Sequence, residues 1–287
     1  MPSLKDIKRR IKSVKNTQQI TKAMKLVAAS KLRKAQHAIL EARPYAIKMM
    51  DVLNHLAARC NNDLHPLLEA RGDNKHLLLV ITSDKGLCGG FNSNVIRKTE
   101  ELLKEKAQNE ISLIIAGKKG NDIFRNRQVN IVEDYIGWSK DFNYLKAKEI
   151  GENLASQFAG GAVDKVSIIY NEFKSVMAQE VVVEQLLPIV PEVCEKDGLF
   201  AVDYIFEPDE EEILEKLLMR YMTVEVYRAF LESSASEHGA RMTAMDNATR
   251  NAGEMISDLT LTYNQARQAY ITKELIEIVN GAEALKG

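Results

Sequence analysis

The sequence predicts an α/β protein in which long N- and C-terminal helices pair as an antiparallel coiled coil, with a compact α/β domain inserted between them. Three observations predict it. No glycine occurs before Gly72 and no proline after Pro208, so the first end lacks one usual helix breaker and the last end the other. Both ends carry apolar residues at spacings of three and four. Between them, short β-branched runs alternate with amphipathic ones, the signature of a covered, mostly parallel sheet.

The N-terminal segment, residues 1–58, opens on Ser3-Leu4-Lys5-Asp6, where Ser3 can cap the first turn and Asp6 can reach back to it. With Leu4 at heptad position a, the a series runs Leu4, Ile11, Gln18, Lys25, Leu32, Ile39, Ala46 and Leu53. The d series runs Ile7, Val14, Thr21, Ala28, Ala35, Ala42, Met49 and Leu56. Gln18, Thr21 and Lys25 interrupt this seam, and Pro44 is expected to kink the helix locally. A helix of this length reaches roughly 80 Å at ~1.5 Å per residue.

The C-terminal segment, residues 209–287, starts with Pro208-Asp209-Glu210-Glu211-Glu212, a cap candidate followed by acids at the positive end of the helix dipole. Its seam runs from Leu217 through Val224, Arg228, Ala235, His238, Met245, Thr249, Ala252, Leu259 and Ala266 to Tyr270. His238 in that seam reads as a packed, hydrogen-bonded histidine. Alanines at 28, 35, 42 and 46 and at 235, 252 and 266 permit close approach of two helices. Neither rod is stable alone, so the two ends pack on each other. The C-terminal helix is the longer, and one of its ends projects beyond its partner or binds something else.

Residues 75–190 change character. Strands are expected at His76–Thr82, Ile111–Ala116, Val129–Glu133 and Lys165–Tyr170. Helices are expected at Asn92–Ala107, Asn121–Asn126 and Asn143–Phe158, and Val176–Leu187 returns as a hairpin partner. The alternation is Rossmann-like. The first strand ends in Ser83-Asp84-Lys85-Gly86-Leu87-Cys88-Gly89-Gly90, where such folds cradle phosphates at a helix N-terminus. Neither GxGxxG nor GxxxxGK[ST] can be written here or elsewhere, so a tight turn needing glycine is the expectation. Cys88 lacks an adjacent base and GxSxG is absent, so no nucleophile is assigned.

Composition excludes further classes. No stretch without Asp, Glu, Lys or Arg is longer than Gly86–Ile96, which is shorter than the roughly 18 residues a bilayer helix needs, so no direct membrane insertion is expected. Residues 1–6 carry no apolar h-region, so no secretory signal is expected. Cys60, Cys88 and Cys194 are odd in number and far apart, which suits unpaired thiols in a reducing compartment. No CxxC or HExxH spacing occurs, and no metal or cofactor is expected. The net charge of −1 hides a strong polarity: residues 1–34 carry eleven Lys or Arg against Asp6, whereas residues 192–216 carry ten acids against Lys196 and Lys216. The basic helix has almost no aromatics to stack on bases, so its expected partner is acidic protein and not nucleic acid.

Four segments then resemble one family, the gamma subunit of F-type ATP synthase. They are Ile7–Ile11 with Gln19–Met24 and Val27–Lys31; Ser83–Asn92; Ser236–Met242 with Ala244-Met245 and Ala248-Thr249; and Ile271–Glu277 with Gly281–Ala284. They span nearly the whole chain in the family's order. The resemblance implies a non-catalytic central rotor stalk turning inside a ring of three catalytic beta and three alpha subunits, with the α/β domain meeting the epsilon subunit and the membrane c-ring. It implies catalytic-ring contacts at Met24, Lys25, Arg267, Gln268 and Thr272, and the charge pattern adds Arg9, Arg10 and Lys12. It implies c-ring or epsilon contact at Tyr204, Phe206 and Glu207, where Phe206 matches only as an aromatic. The paired-cysteine insertion of chloroplast relatives is missing, so a bacterial source and a peripheral place on the cytoplasmic side of the plasma membrane are expected.

Overall fold

The computed structural model describes residues 3–57, 65–106, 109–127, 129–190 and 210–284. The elements follow in the order α1 (Leu4–Ala57), β1 (Lys75–Ile81), α2 (Phe91–Glu105), β2 (Glu110–Ala116), α3 (Lys118–Phe124) and β3 (Asn130–Tyr135). After these come α4 (Trp138–Asp141), α5 (Tyr144–Ala159), β4 (Lys165–Phe173), β5 (Gln179–Leu187) and α6 (Glu210–Ala284). Two compact units are present: residues 29–241, and residues 1–28 with 242–287. Residues of α1 and of α6 belong to each.

In the larger unit the strands form one sheet in the order β3-β2-β1-β4-β5. The pairs β1–β2, β1–β4 and β2–β3 are parallel, whereas β5 returns antiparallel to β4. Strand residues point alternately to the two faces, which divides the core. Leu77, Leu79, Ile81, Ile114 and Ile168 face one layer with Leu154 and Phe158 of α5 and with Leu214, Leu218, Met222, Val226 and Phe230 of α6. Leu78, Val80, Leu113, Ile115 and Ile169 face the other, with Val95 and Ile96 of α2 and Phe124. The sheet is thus covered on both faces, which explains why its strands read as continuous apolar runs.

Residues 214–230 of α6 therefore complete the core of the α/β domain. They carry the apolar face that α5 alone would leave uncovered, and aromatic contacts fix the fit. Phe142 stacks on Phe230 at 4.2 Å, and Trp138 meets Phe230 edge-on at 4.9 Å. The Trp138 indole donates to the Thr82 carbonyl at 2.9 Å. The short helix α4 holding Trp138 had no sequence signal of its own.

Two local features shape the sheet's carboxyl end. Gly117 has φ +100°, and a Cβ there would lie 2.1 Å from the Thr82 carbonyl oxygen, so only glycine fits between β2 and α3. Asn143 caps α5 by accepting from the Lys146 amide at 3.0 Å.

In the smaller unit the start of α1 lies antiparallel to α6. Gln18 Nε2 donates to the Thr249 carbonyl at 3.4 Å, the Thr249 and Thr21 hydroxyls meet at 2.8 Å, and Lys25 pairs with Asp246 at 2.6 Å. The polar residues that interrupt the seam are thus matched by polar residues across it. Every α1 seam position whose side chain is described is buried or half-buried. Ser3 caps as expected, with its hydroxyl accepting from the Asp6 amide at 3.2 Å and donating to the Asp6 carboxylate at 2.7 Å. That bond, then the Arg9 guanidinium, holds the Asp6 carboxyl below its ordinary value. Helix α1 is unbroken through Pro44.

One seam expectation needs correction. Along α6 the half-buried pattern ends at Ala266, and Tyr270 is 53 % exposed. The pairings of Gln18 with Thr249 and Lys25 with Asp246 place Leu4 near residue 265, so α1 has no residue left to cover Tyr270.

Candidate interaction sites and the β1–α2 turn

The expected ring-contact residues fall at two levels of the smaller unit. Arg9, Arg10 and Lys12 are exposed on α1, with Arg9 bound to Asp6 at 3.1 Å. Met24 beside the seam and Lys25 within it are half-buried, and Lys25 lowers the Asp246 carboxyl through their hydrogen bond and its charge. Arg267, Gln268 and Thr272 lie on α6 some 21 residues beyond Asp246, about 30 Å at the helical rise. They belong to a run, residues 267–283, in which every side chain is exposed. The structure therefore does not bring the two groups together. Within the second group, Thr272 Oγ1 donates to the Gln268 carbonyl at 3.0 Å, a bond internal to the helix.

The same run exposes Ile271, Leu275, Ile276, Ile278 and Val279, each at least 42 % accessible. An isolated helix of this composition is not stabilised by packing, and an unpartnered apolar run marks an interaction surface. Tyr204, Phe206 and Glu207, the expected c-ring or epsilon contacts, lie outside the described residues, as do Cys60 and Cys194. Cys88 is buried and unpaired, and burial raises its thiol above the ordinary value. Among the described residues, no group of His, Cys, Asp and Glu could hold a metal ion, and no helix is long and apolar enough to cross a membrane.

The turn Ser83–Gly90 is where a doubly wound sheet would bind an anion. Here α6 occupies that crevice. Ser236 Oγ donates to the Asn171 carbonyl at 3.0 Å, Ala240 packs on Cys88 and Phe91, and Arg241 Nη2 reaches the carbonyls of Lys85 and Gly86 at 3.3 Å each. Asp84 accepts from the Gly137 amide at 2.8 Å and the Ser139 hydroxyl at 2.9 Å. The turn thus presents carbonyls and a carboxylate, which suits a guanidinium and repels a phosphate. The tight-turn reading agrees with this geometry, and Leu87 (φ +63°) and Gly89 (φ +57°) supply its left-handed residues.

Residues that sequence reasoning missed are the buried and half-buried charges of α6. Arg228 binds Glu184 through Nη2 at 2.7 and 2.8 Å and Glu225 at 2.6 Å; its Nη1 reaches the Tyr170 hydroxyl at 3.1 Å and Glu232 at 3.4 Å. Burial pushes the Glu225 and Glu232 carboxyls up while Arg228 opposes the shift, and the surrounding acids raise Arg228 itself against its burial. Arg241 Nη1 pairs with Glu237 at 2.7 Å and meets His238 Nδ1 at 3.2 Å. Burial, with Arg241 and Lys31 nearby, lowers His238 to about 4, so it is neutral at pH 7 and its Nδ1 can accept. The available signal was Arg228 on the seam and the Ser236–Met242 segment, which periodicity treats as ordinary helix.

Known proteins resemble this chain along its whole length. The ATP synthase family model matches residues 3–285. ATP synthase gamma chains of Anaeromyxobacter sp. and Chlorobium phaeobacteroides are 51 % and 48 % identical, each aligned over 100 % of both chains. A chain from the Tetrahymena thermophila mitochondrial ATP synthase central stalk and c-ring structure is 29 % identical with TM-score 0.62, covering 80 % of this chain and 99 % of that one. A chain of the Euglena gracilis mitochondrial ATP synthase shares the fold at TM-score 0.71 and 21 % identity, covering 98 % and 94 %. Taken with the paired helices and inserted five-stranded domain, these matches make the chain a member of the ATP synthase family, among its gamma chains.

Proposed function

We propose that this chain is the rotating shaft of an ATP synthase and carries no catalytic site of its own. Its paired helices turn inside the ring of alpha and beta subunits, and successive faces of an asymmetric shaft drive each catalytic site through its conformations. Its α/β domain meets the epsilon subunit and the c-ring, so the chain is peripheral to a bacterial plasma membrane on the cytoplasmic side. Tyr204, Phe206 and Glu207 are proposed for that contact. Met24 and Lys25 meet the ring at one level and Arg267, Gln268 and Thr272 at another, while Arg9, Arg10 and Lys12 act on acidic ring loops through screened fields.

The observation that carries this reading is the exposed run 267–283, which holds five large aliphatic side chains that α1 does not cover. A ring lined by apolar side chains would supply the missing partner. The test is purification of the detergent-solubilised complex from cells expressing a tagged form of this chain. The alpha and beta subunits are expected to co-purify with it, and truncation after Ala266 is expected to lose them or their coupling to ion transport. Recovery of the tagged chain free of any ATPase would contradict the reading.

A further inference from the structure

An apolar interface strongly resists separation of two surfaces, but burial has no preferred direction, so it defines the angle of a helix less sharply than directional contacts do. Residues 214–230 of α6 meet the sheet through such an interface. Hydrogen bonds are directional, so polar contacts to the same helix fix its angle about its own axis. Beside the Ser236–Asn171 bond, two guanidiniums make these contacts, that of Arg228 half-buried and that of Arg241 buried. Arg228 binds Glu184 of β5 with both carboxylate oxygens engaged, and its Nη1 reaches the Tyr170 hydroxyl of β4. Arg241, 9 % exposed, reaches two carbonyls of the β1–α2 turn.

The sockets are held from behind. Tyr170 donates to Glu184 at 3.1 Å, which ties the two β-hairpin groups together. Ser83 Oγ donates to the Lys85 carbonyl at 2.6 Å, and Ser83 N to Asn92 Oδ1 at 2.9 Å, so one of the two carbonyls that receive Arg241 is tied through Ser83 to α2. On the helix side, Glu225 and Glu237 orient the two guanidiniums from one turn away. Thirteen residues separate the two arginines, about 20 Å along α6 and roughly 140° around it at 3.6 residues per turn. Contacts on different sides of a helix oppose its rotation in a way that contacts on one side do not.

We propose that Arg228 and Arg241 are the positioning residues that fix α6 in rotation to the α/β domain, so that torque entering the domain turns the helix without slip. This rests on the rotary reading above. Arginine is required at both places because its planar fork reaches acceptors on the sheet or turn and on the helix at once; a lysine ammonium keeps the charge but cannot span them.

The test uses the assembled complex in sealed vesicles, with ATP hydrolysis and ATP-driven ion uptake measured on the same preparation. Arg228→Lys, Arg241→Lys and the double variant are compared with the parent and with Leu32→Ala, which weakens α1–α6 packing and touches neither guanidinium. The double variant is expected to keep hydrolysing ATP while ions moved per ATP fall several-fold, with each single variant intermediate and Leu32→Ala at the parental ratio. A parental ratio in both single variants overturns the proposal, as does a Leu32→Ala ratio that falls as far as theirs; should the double variant not assemble, the single variants decide. If the parent complex itself moves no ions, the rotary reading fails, and the failure is not that of the two arginines.

Discussion

His76 shows how a single buried residue makes the fold sensitive to pH. It sits at the start of β1, 4 % exposed, with Nε2 3.0 Å from Ser167 Oγ. Burial first, then Lys106, lowers it from 6.5 to about 4. Between those values the unfolded chain binds a proton that the folded chain refuses, so stability is full above about 6.5 and is lost as pH falls towards 4. Urea unfolding of the parent and of His76→Gln over that range is expected to show the parent losing stability relative to the variant by a few kcal/mol as the medium is acidified; a constant difference would contradict the assignment. Gly117 makes a purely steric case. Gly117→Ala would place Cβ against the Thr82 carbonyl in a left-handed conformation, and a loss of more than about 2 kcal/mol is expected, measurable as a lowered midpoint. Neither residue could be singled out from sequence, because burial of His76 and the 2.1 Å approach at Gly117 are created by the packing of β1, β2 and β4.

Whole elements were more legible than the contacts between them. The heptad positions of α1 were readable because the helix touches its partner along one stripe, so the 3-4 spacing maps directly onto burial. The five strands were readable because a sheet covered on both faces concentrates β-branched and aliphatic residues. Helix α6 was legible only where it meets α1. Along residues 221–241 it is buried on several sides, and a helix surrounded by core has no single stripe to read. The expected contact residues and the two arginines differ in the same way. Met24, Lys25, Arg267, Gln268 and Thr272 are expected from resemblance, whereas the contacts of the half-buried Arg228 and the buried Arg241 are made by tertiary packing that no local pattern encodes. At this scale the seam makes a measurable claim. Leu32, 4 % exposed, packs with Ala35 and Ala235, and Leu32→Ala is expected to destabilise the full chain by about 2–4 kcal/mol. Leu275→Ala, in the exposed run, is expected to change unfolding of the isolated chain by less than about 0.5 kcal/mol. Equal losses from both would contradict the burial pattern of the two helices.

For the molecule as a whole, the question is how a subunit without a catalytic site governs catalysis elsewhere. The basic residues Arg9, Arg10 and Lys12 are exposed, and under the proposed reading they would act on acidic loops across solvent, so their effect should be collective and screened by salt. Replacing all three with alanine is expected to alter the hydrolysis rate of the assembled complex and to flatten its dependence on ionic strength; superimposable salt profiles would make them an ordinary solvated face. The central claim is that the chain rotates as a shaft while other subunits hydrolyse ATP. The most direct measurement fixes the catalytic ring of the assembled complex to a surface, attaches a probe to the exposed face of α2, and follows it by microscopy as ATP is supplied. Sustained rotation of the probe in one direction, stopping when ATP is withdrawn, is the predicted result. A probe that stays at a fixed angle while the same molecules hydrolyse ATP would contradict it.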